Sequence, residues 1–122
     1  MQLGAFSISL AVADLDASRV FYEQVGFAVT GGSEDEGWLI LRNGESTIGL
    51  FHGMFDHNIL TFNPRIRGSN MSPEPDWDDV RSIQQRLLDA GLELEETVQT
   101  ESGAGYLTLR DPDGNQILID QW

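Results

Sequence analysis

The segment DLDASRVFYEQVGF, Asp14–Phe27, is matched 65 residues further along by DVRSIQQRLLDAGL, Asp79–Leu92, with the leading aspartate and the late glycine in corresponding places. An internal repeat of this kind constrains the fold before local propensities do. The correspondence continues in WLILR at Trp38–Arg42 and YLTLR at Tyr106–Arg110, each of which precedes a turn sequence with glycine. The sequence therefore predicts an α+β fold in which one domain, 1–122, contains two similar modules.

The first module has the pattern of a strand, a helix and three strands. Residues 6–12 alternate apolar with small or polar side chains, as a strand does when one face packs on a core. A helix begins at a cap in Asp14 or Asp16 and ends at Gly26. Strands at 27–30, 38–42 and 47–51 follow, with an acidic loop at 31–37 and a tight hairpin turn at Asn43-Gly44. The predicted inward face of the helix consists of Leu15, Ser18, Phe21, Tyr22 and Val25.

The second module repeats this order with an insertion. Its first strand is predicted at Asn58–Asn63, because Ser72-Pro73, the position given by the strict offset, does not suit a central strand. Residues 64–77 then form a loop insertion of a length that usually has a function. A helix at 78–90 and strands at 92–98, 106–110 and 116–119 complete the module. The modules span about residues 4–52 and 57–122, and the inward residues of the second helix are Val80, Ile83, Leu87 and Leu88.

Composition excludes several classes of function. The net charge is −13, all seven cationic side chains are arginine, and there is no cysteine. Disulfides, thiolate nucleophiles and lysine Schiff bases are therefore excluded. Nucleic acids and anionic membranes require a basic face, and no apolar run approaches the length of a membrane span. We expect a cytoplasmic protein whose partner is a small molecule.

Several short motifs, in order, resemble the vicinal oxygen chelate superfamily, which includes glyoxalase I, bleomycin-resistance proteins and extradiol dioxygenases. They are VADLDAS at Val12–Ser18, Phe21-Tyr22, Gly26-Phe27, and DPDGN at Asp111–Asn115. The resemblance covers nearly the whole chain. It implies a glyoxalase-like fold, in which two βαβββ modules curl a mixed sheet into a half-open cup around the ligand. It also implies a homodimer, which would cover exposed strand edges.

Enzymes of this superfamily hold a divalent metal with four side chains from the first and last strands of both modules. The corresponding positions here are Ser7, Gly49, Asn58 (or Ser72 on the strict offset) and Leu118. Glycine and leucine have no side-chain donor, and serine and asparagine oxygens are poor substitutes for imidazole or carboxylate. We therefore predict no metal ligands and no cofactor.

The resemblance places a ligand on strand faces that point away from the helices, where small residues leave room and aromatic rings stack. Phe51 and Phe62 are the expected stacking residues, and Arg65 either binds an anion or offsets nearby acids. Arg42 and Arg110, at matching places before the hairpin turns, are interpreted as structural. The predicted ligand-binding residues are Ser7, Ser9, Thr47, Gly49, Phe51, Asn58, Phe62, Arg65 and Leu118.

The residues leave three possible functions open. The first is metal-independent binding of a small organic molecule in the cup, as in bleomycin-resistance proteins. The second is a glyoxalase-like lyase or isomerase with a displaced divalent-metal or acid–base site at His52, His57 or Glu45, although both histidines also suit exposed loops. The third is a structural dimer subunit whose cup is filled by its own side chains.

Overall fold

The computed structural model describes residues 1–67, 72–73 and 76–122, with 72–73 described by their backbone alone. The chain divides into two compact units. The first unit is Ser7–Ile59, and the second combines Met1–Phe6 with Leu60–Trp122. Ser72, the strict-offset alternative to Asn58, lies in a short separate ladder, and its side chain falls outside the described residues.

The first unit confirms the order strand, helix and three strands. These elements are β1 (Ala5–Ala11), α1 (Leu15–Val25), β2 (Ala28–Ser33), β3 (Trp38–Asn43) and β4 (Ser46–Phe51). The strand order is β2-β3-β4-β1, in which β1 runs parallel to β4 and the other pairs are antiparallel. The predicted loop at 31–37 is too long, because β2 continues past a bulge at Val29 and Gly31 to Ser33 and only Glu34–Glu36 form a short 3-10 turn.

Helix α1 is capped as the sequence predicts. The Asp14 carboxylate accepts a hydrogen bond from the Ala17 N–H at 3.0 Å, and Gly26 ends the helix with a φ of 115°. The inward face is narrower than predicted, because Phe21 and Val25 are each 56% exposed. Only the side of α1 that carries Leu15 and Tyr22 packs on the sheet. The core beneath it consists of Leu39, Leu41, Ile48 and Leu50.

The second unit contains the remaining helix and strands. They are β5 (Ile59–Asn63, whose first residue belongs to the first unit), β6 (Ile66–Arg67), β7 (Ser72–Pro73), α2 (Val80–Asp89), β8 (Gly105–Arg110) and β9 (Gln116–Gln121). The strand order is β5-β9-β8, while β6 and β7 pair with each other inside the predicted loop insertion. The predictions for the first strand, the helix and the final hairpin of module two are thus confirmed.

Two predictions for module two are wrong. Residues 92–98 form no regular strand in the described structure and make a single bridge between Glu96 and Thr108. At this bridge the N–H groups of Glu95 and Glu96 share one acceptor, the Thr108 carbonyl, so the pairing is irregular as in a β-bulge. Leu88 is 44% exposed, because α2 packs through the side that carries Val80 and Ile83.

A buried glutamine secures the start of α2. Gln121 is 1% exposed, and its side-chain oxygen accepts a hydrogen bond from the Val80 N–H at 2.8 Å. Its amide nitrogen donates to the Asp79 carboxylate at 3.2 Å and to the Gly103 carbonyl at 2.7 Å. The first turn of α2 is therefore fixed to the last strand, because the end of a helix leaves N–H groups that need partners. The adjacent core consists of Val80, Ile83, Leu107, Leu109 and Ile119.

Both helices are short. Helix α1 has 11 residues and α2 has 10, and neither described helix meets the length and apolarity that a bilayer crossing requires.

Candidate functional site

The first unit presents one face of its sheet away from α1, which we call the distal face. Leu41, Ile48 and Leu50 point toward α1, so the residues that alternate with them point to the other side. Strand register aligns these residues in rows: Ser9 with Gly49 and Ile40, and Ala11 with Phe51 and Trp38. The distal face comprises Ser7, Ser9 and Ala11 of β1, Trp38, Ile40 and Arg42 of β3, and Thr47, Gly49 and Phe51 of β4.

The structure brings together the predicted ligand residues of the first module. They lie on adjacent strands β1 and β4, and Ser9 and Gly49 are buried while the others are half-buried. The alternation in the sequence was sufficient to place them, because each strand has its apolar residues on the helix side. These residues are Ser7, Ser9, Thr47, Gly49 and Phe51.

Gly49 is covered by an aromatic ring. A Cβ atom added at Gly49 would stand 2.6 Å from Cε2 and 3.2 Å from Cζ of Phe51, and 3.4 Å from Cδ1 of Ile40. Real Cβ atoms essentially never approach other atoms as closely as the first of these distances. The absence of a side chain at Gly49 is therefore what allows the Phe51 ring to lie across the sheet.

Three aromatic side chains continue from this point, and we call them the aromatic shelf: Trp38, Phe51 and Phe55. The Trp38 and Phe51 rings are nearly parallel, with 6° between their planes and 6.2 Å between centroids. The ring centroid of Phe55 lies 5.2 Å from that of Phe51, with 46° between the two ring planes. All three are half-buried, which leaves part of each ring accessible. Trp38 and Phe55 were not among the predicted site residues. The predicted hairpin turn at Asn43-Gly44 is wrong by one residue, because Asn43 pairs with Ser46 and the turn is Gly44-Glu45; only this observed register pairs Trp38 with Phe51.

The other predicted ligand residues have separate local contacts. Asn58 is exposed, and its side-chain oxygen accepts a hydrogen bond from the Ala11 N–H at 3.0 Å. The ring of Phe62 packs with its centroid 5.1 Å from that of Phe6, which is the first apolar residue of the alternating stretch 6–12 and is 50% exposed. Leu118 is half-buried and lies opposite Thr108 in the β8–β9 hairpin.

Arg65 is held within the second unit. Its Nη1 donates a hydrogen bond to the Trp122 carbonyl at 2.9 Å, and the guanidinium carbon lies 5.5 Å from the centroid of the Trp77 ring. Cation–π contacts of this kind stabilise an arginine at a surface. These contacts give Arg65 a structural role alongside any contact with an anion.

The two histidines make different contacts. His52 is exposed, and its Nδ1 is 3.1 Å from the Val12 carbonyl oxygen. It lines a shallow depression of about 320 Å³ together with Ala13, Asp14, Leu15, Asp16, Glu34 and Gly37. His57 pairs through Nδ1 with the exposed Asp56 carboxylate at 2.8 Å.

The residues at the superfamily's metal positions do not fit a divalent cation. Gly49 lies under the Phe51 ring, Leu118 has no donor atom, and the Asn58 oxygen already accepts a backbone hydrogen bond. Elsewhere in the part of the chain that the structure describes, no group of three or more histidine or acidic side chains is arranged to hold a metal ion.

One carboxylate in the second unit was missed by sequence reasoning. Asp120 lies on the side of β9 that faces away from α2, and burial raises the pKa of its carboxyl despite a hydrogen bond from the Trp122 indole. Its cross-strand neighbour Tyr106 donates a hydrogen bond to Glu96 at 3.0 Å, which raises the pKa of the phenol. In the sequence, the alternation of Asp120 with Ile119 indicates which side of β9 Asp120 lies on. It does not indicate that the Asp120 carboxyl is buried.

Comparisons with known proteins bear on this architecture. A model of the Glyoxalase/Bleomycin resistance protein/Dioxygenase superfamily matches residues 4–119. Comparison with curated proteins finds no match. A solved structure of a glyoxalase/bleomycin resistance protein/dioxygenase superfamily member from Vibrio splendidus 12B01 has a TM-score of 0.66 and 16% identity, and the match covers 96% of this chain and 97% of that one.

Two further solved structures are similar. Streptomyces coelicolor methylmalonyl-CoA epimerase, in complex with 2-nitronate-propionyl-CoA, has a TM-score of 0.61 and 18% identity, with 94% of each chain covered. A Legionella pneumophila structure described as NAD-dependent benzaldehyde dehydrogenase has a TM-score of 0.68 and 14% identity, with coverage of 95% of this chain and 97% of that one. At these identities the likeness establishes the fold alone.

Proposed function

Since the chain belongs to the glyoxalase/bleomycin resistance protein/dioxygenase superfamily, we propose that it binds a small organic molecule on the distal face without using a metal. The observation that carries this proposal is the Phe51 ring lying over Gly49. The Phe51 ring places a flat apolar surface where enzymes of the superfamily have a metal ligand. We also expect the protein to act as a homodimer in the cytoplasm.

The composition of the distal face supports a ligand with an apolar or aromatic body. Trp38 and Phe51 lie side by side with parallel planes, and the adjacent row consists of Ser9, Gly49 and Ile40. Small-molecule sites are typically lined by apolar and aromatic side chains with a few polar groups, and aromatic rings supply much of the contact energy. The small residues beside the shelf leave space for a ring that stacks on it.

The alternative is a glyoxalase-like enzyme with a displaced site. Its support is the depression in which His52 lies near Asp14 and Glu34, since an imidazole with carboxylates is a usual acid–base or metal-binding combination. The Asp14 carboxylate is already engaged in capping α1, and His52 contacts the Val12 carbonyl. We therefore favour the binding function. The third possibility, a structural subunit that binds nothing, makes a distinct prediction in the experiment below.

The test is fluorescence titration with N-phenyl-1-naphthylamine, a neutral aromatic probe. We expect saturable binding by the wild-type protein. Phe51→Leu is expected to weaken it about fivefold, because an aromatic contact contributes roughly 1 kcal/mol beyond its buried area. Phe21→Leu, an exposed position on α1, is the matched control and should leave the affinity unchanged. Absence of saturable binding, or equal losses in both variants, would contradict the proposal and favour the structural subunit.

A further inference from the structure

We propose that the ligand of the distal face is an organic anion and that Arg42 binds its negatively charged group. This inference rests on the proposed function and adds the chemical class of the ligand. It reverses the interpretation of Arg42 as a purely structural residue.

Arg42 lies at one end of the distal face. It pairs across the β3–β4 hairpin with Thr47, and across the β2–β3 pair with Ala28. The parallel register of β1 with β4 aligns Ile8 with Ile48, so the residues that precede them, Ser7 and Thr47, are neighbours on the opposite face. Arg42 is therefore followed along the row by two hydroxyl side chains on strands spaced about 4.8 Å apart. Guanidinium and hydroxyl groups together are the donors that carboxylate, phosphate or sulfonate oxygens accept from.

The Arg42 guanidinium has an unsatisfied donor in the part of the chain that the structure describes. The side chain is half-buried and its Nε is inaccessible to water, yet no group in the described structure accepts a hydrogen bond from that Nε. Nor does any carboxylate among the described residues form an ion pair with Arg42. A partly desolvated cation without a partner is unfavourable, and an anion that binds beside it relieves this cost.

The corresponding arginine of the other module shows what a structural role looks like. Arg110 also precedes a hairpin turn, and it donates to the Glu95 carboxylate and the Gly114 carbonyl at 2.8 and 2.9 Å. Arg19 and Arg81 are likewise paired with carboxylates. In a chain with 20 acidic residues and seven arginines, a half-buried arginine without a carboxylate partner stands out from the others.

The neighbours of Arg42 on the distal face preserve its positive charge. The adjacent row holds Gly31, Ile40 and Gly49, none of which is charged. The shelf residue Trp38 is four residues along the same strand, so its Cα lies roughly 13 Å from that of Arg42. Because the arginine side chain is long, one small molecule can stack on the shelf and place an anionic group at Arg42.

Two probes with the same anilinonaphthalene skeleton separate the anion contact from the aromatic contact. One is 1-anilinonaphthalene-8-sulfonate, and the other is the neutral N-phenyl-1-naphthylamine. Titrations are made at 0.15 M salt, where exposed charges beyond about 8 Å are largely screened. The variants are Arg42→Gln, Arg42→Lys and the matched control Arg110→Gln.

We expect Arg42→Gln to weaken sulfonate-probe binding about tenfold to a hundredfold, the range for loss of a charge-assisted hydrogen bond. Binding of the neutral probe should change less than twofold, which also shows that the variant is folded. Arg42→Lys should give an intermediate loss, because it keeps the charge without the planar fork. Arg110→Gln should change neither affinity.

The failures of the two proposals are distinguishable. If the neutral probe binds in a Phe51-dependent way but Arg42→Gln leaves the sulfonate affinity unchanged, the anion inference is overturned and the proposed function stands. The inference is also overturned if Arg42→Gln weakens both probes equally. If the wild-type protein binds neither probe saturably, both proposals fail together.

Discussion

The Phe51 ring occupies the space that a side chain at position 49 would need, with Cε2 2.6 Å from the place of a Cβ. The two residues are separated by one position on β4, so both belong to the distal face. A metal ligand at position 49 and the Phe51 ring in its present place are therefore mutually exclusive. The missing side chain at Gly49 therefore both removes a possible metal donor and makes room for the aromatic ring of Phe51.

This contact predicts a large difference between two glycine substitutions on the same face. Gly49→Ala is expected to lower the free energy of unfolding by about 1–3 kcal/mol, the usual cost of overpacking. Gly31→Ala should cost little, because its Cβ would meet Ile40 at 3.8 Å, an ordinary contact. Urea denaturation measures both. The cost of Gly49→Ala should largely disappear in a Phe51→Ala background, and an undiminished cost there would contradict the steric explanation.

The buried Gln121 predicts a strong effect on stability. Gln121→Leu removes the acceptor of the Val80 N–H and the donor to the Gly103 carbonyl. A buried group left without a partner costs about 1–3 kcal/mol, so we expect a loss of at least this size in urea denaturation. Gln85→Leu is the control, because Gln85 is exposed on α2 and its amide donates to Asp89. Equal losses in the two variants would show that burial is not the cause.

The pKa of Asp120 predicts how stability depends on pH. Burial raises this pKa, so the folded protein holds the proton more tightly than the unfolded chain. The ionised carboxylate is therefore unfavourable to folding once the pH exceeds the folded-state pKa. Asp120→Asn mimics the neutral acid and should raise the free energy of unfolding at pH 7. This advantage should shrink toward zero as the pH falls to about 4, near the unfolded-state pKa.

The comparison variant for this experiment is Asp79→Asn. Hydrogen bonds from Arg81 lower the pKa of Asp79, so its contribution is present above the unfolded-state pKa and is lost as the pH falls through the folded-state pKa. Asp79→Asn should therefore lose stability at pH 7, opposite in sign to Asp120→Asn. Urea denaturation between pH 4 and pH 7 measures both. Equal signs at pH 7 would exclude this electrostatic explanation.

Metal ions are expected to leave the protein unchanged. Protein treated with a chelator and then supplied with Ni²⁺, Zn²⁺, Mn²⁺ or Fe²⁺ should show the same melting temperature as untreated protein, because a ligand stabilises only a folded state that binds it. Elemental analysis of the purified protein should find no metal in a fixed ratio to the chain. A stoichiometric metal, or a marked rise in melting temperature with one of these ions, would support the displaced glyoxalase-like site.

We expect the protein to be a dimer. Strand β2 lies at the end of the strand order of the first unit and presents backbone groups that a partner strand or loop can cover. Light scattering at micromolar concentration should give twice the mass of one chain. A mass equal to one chain at that concentration would contradict this expectation.

The sequence predicted the parts of the structure that depend on local periodicity. The repeat gave both modules, and alternation in β1 and β4 placed Ser9 and Gly49 on one face. It failed where the outcome depends on contacts between distant residues. Phe21 has helical spacing for the core but lies at the edge of the packed side of α1. Arg42 and Arg110 have equivalent sequence positions, and only the three-dimensional structure shows that one of them has a carboxylate partner.

Because Trp38 stacks with Phe51, its intrinsic fluorescence can be used to detect binding on the distal face. The other two tryptophans, Trp77 and Trp122, belong to the second unit. Replacement of both by phenylalanine leaves a single indole, that of Trp38 within the aromatic shelf, with its Nε1 donating to Glu36 at 3.3 Å. We expect the emission of that indole to change when a ligand binds on the distal face. Unlabelled compounds of any charge can therefore be screened by light emission alone, with no probe to displace.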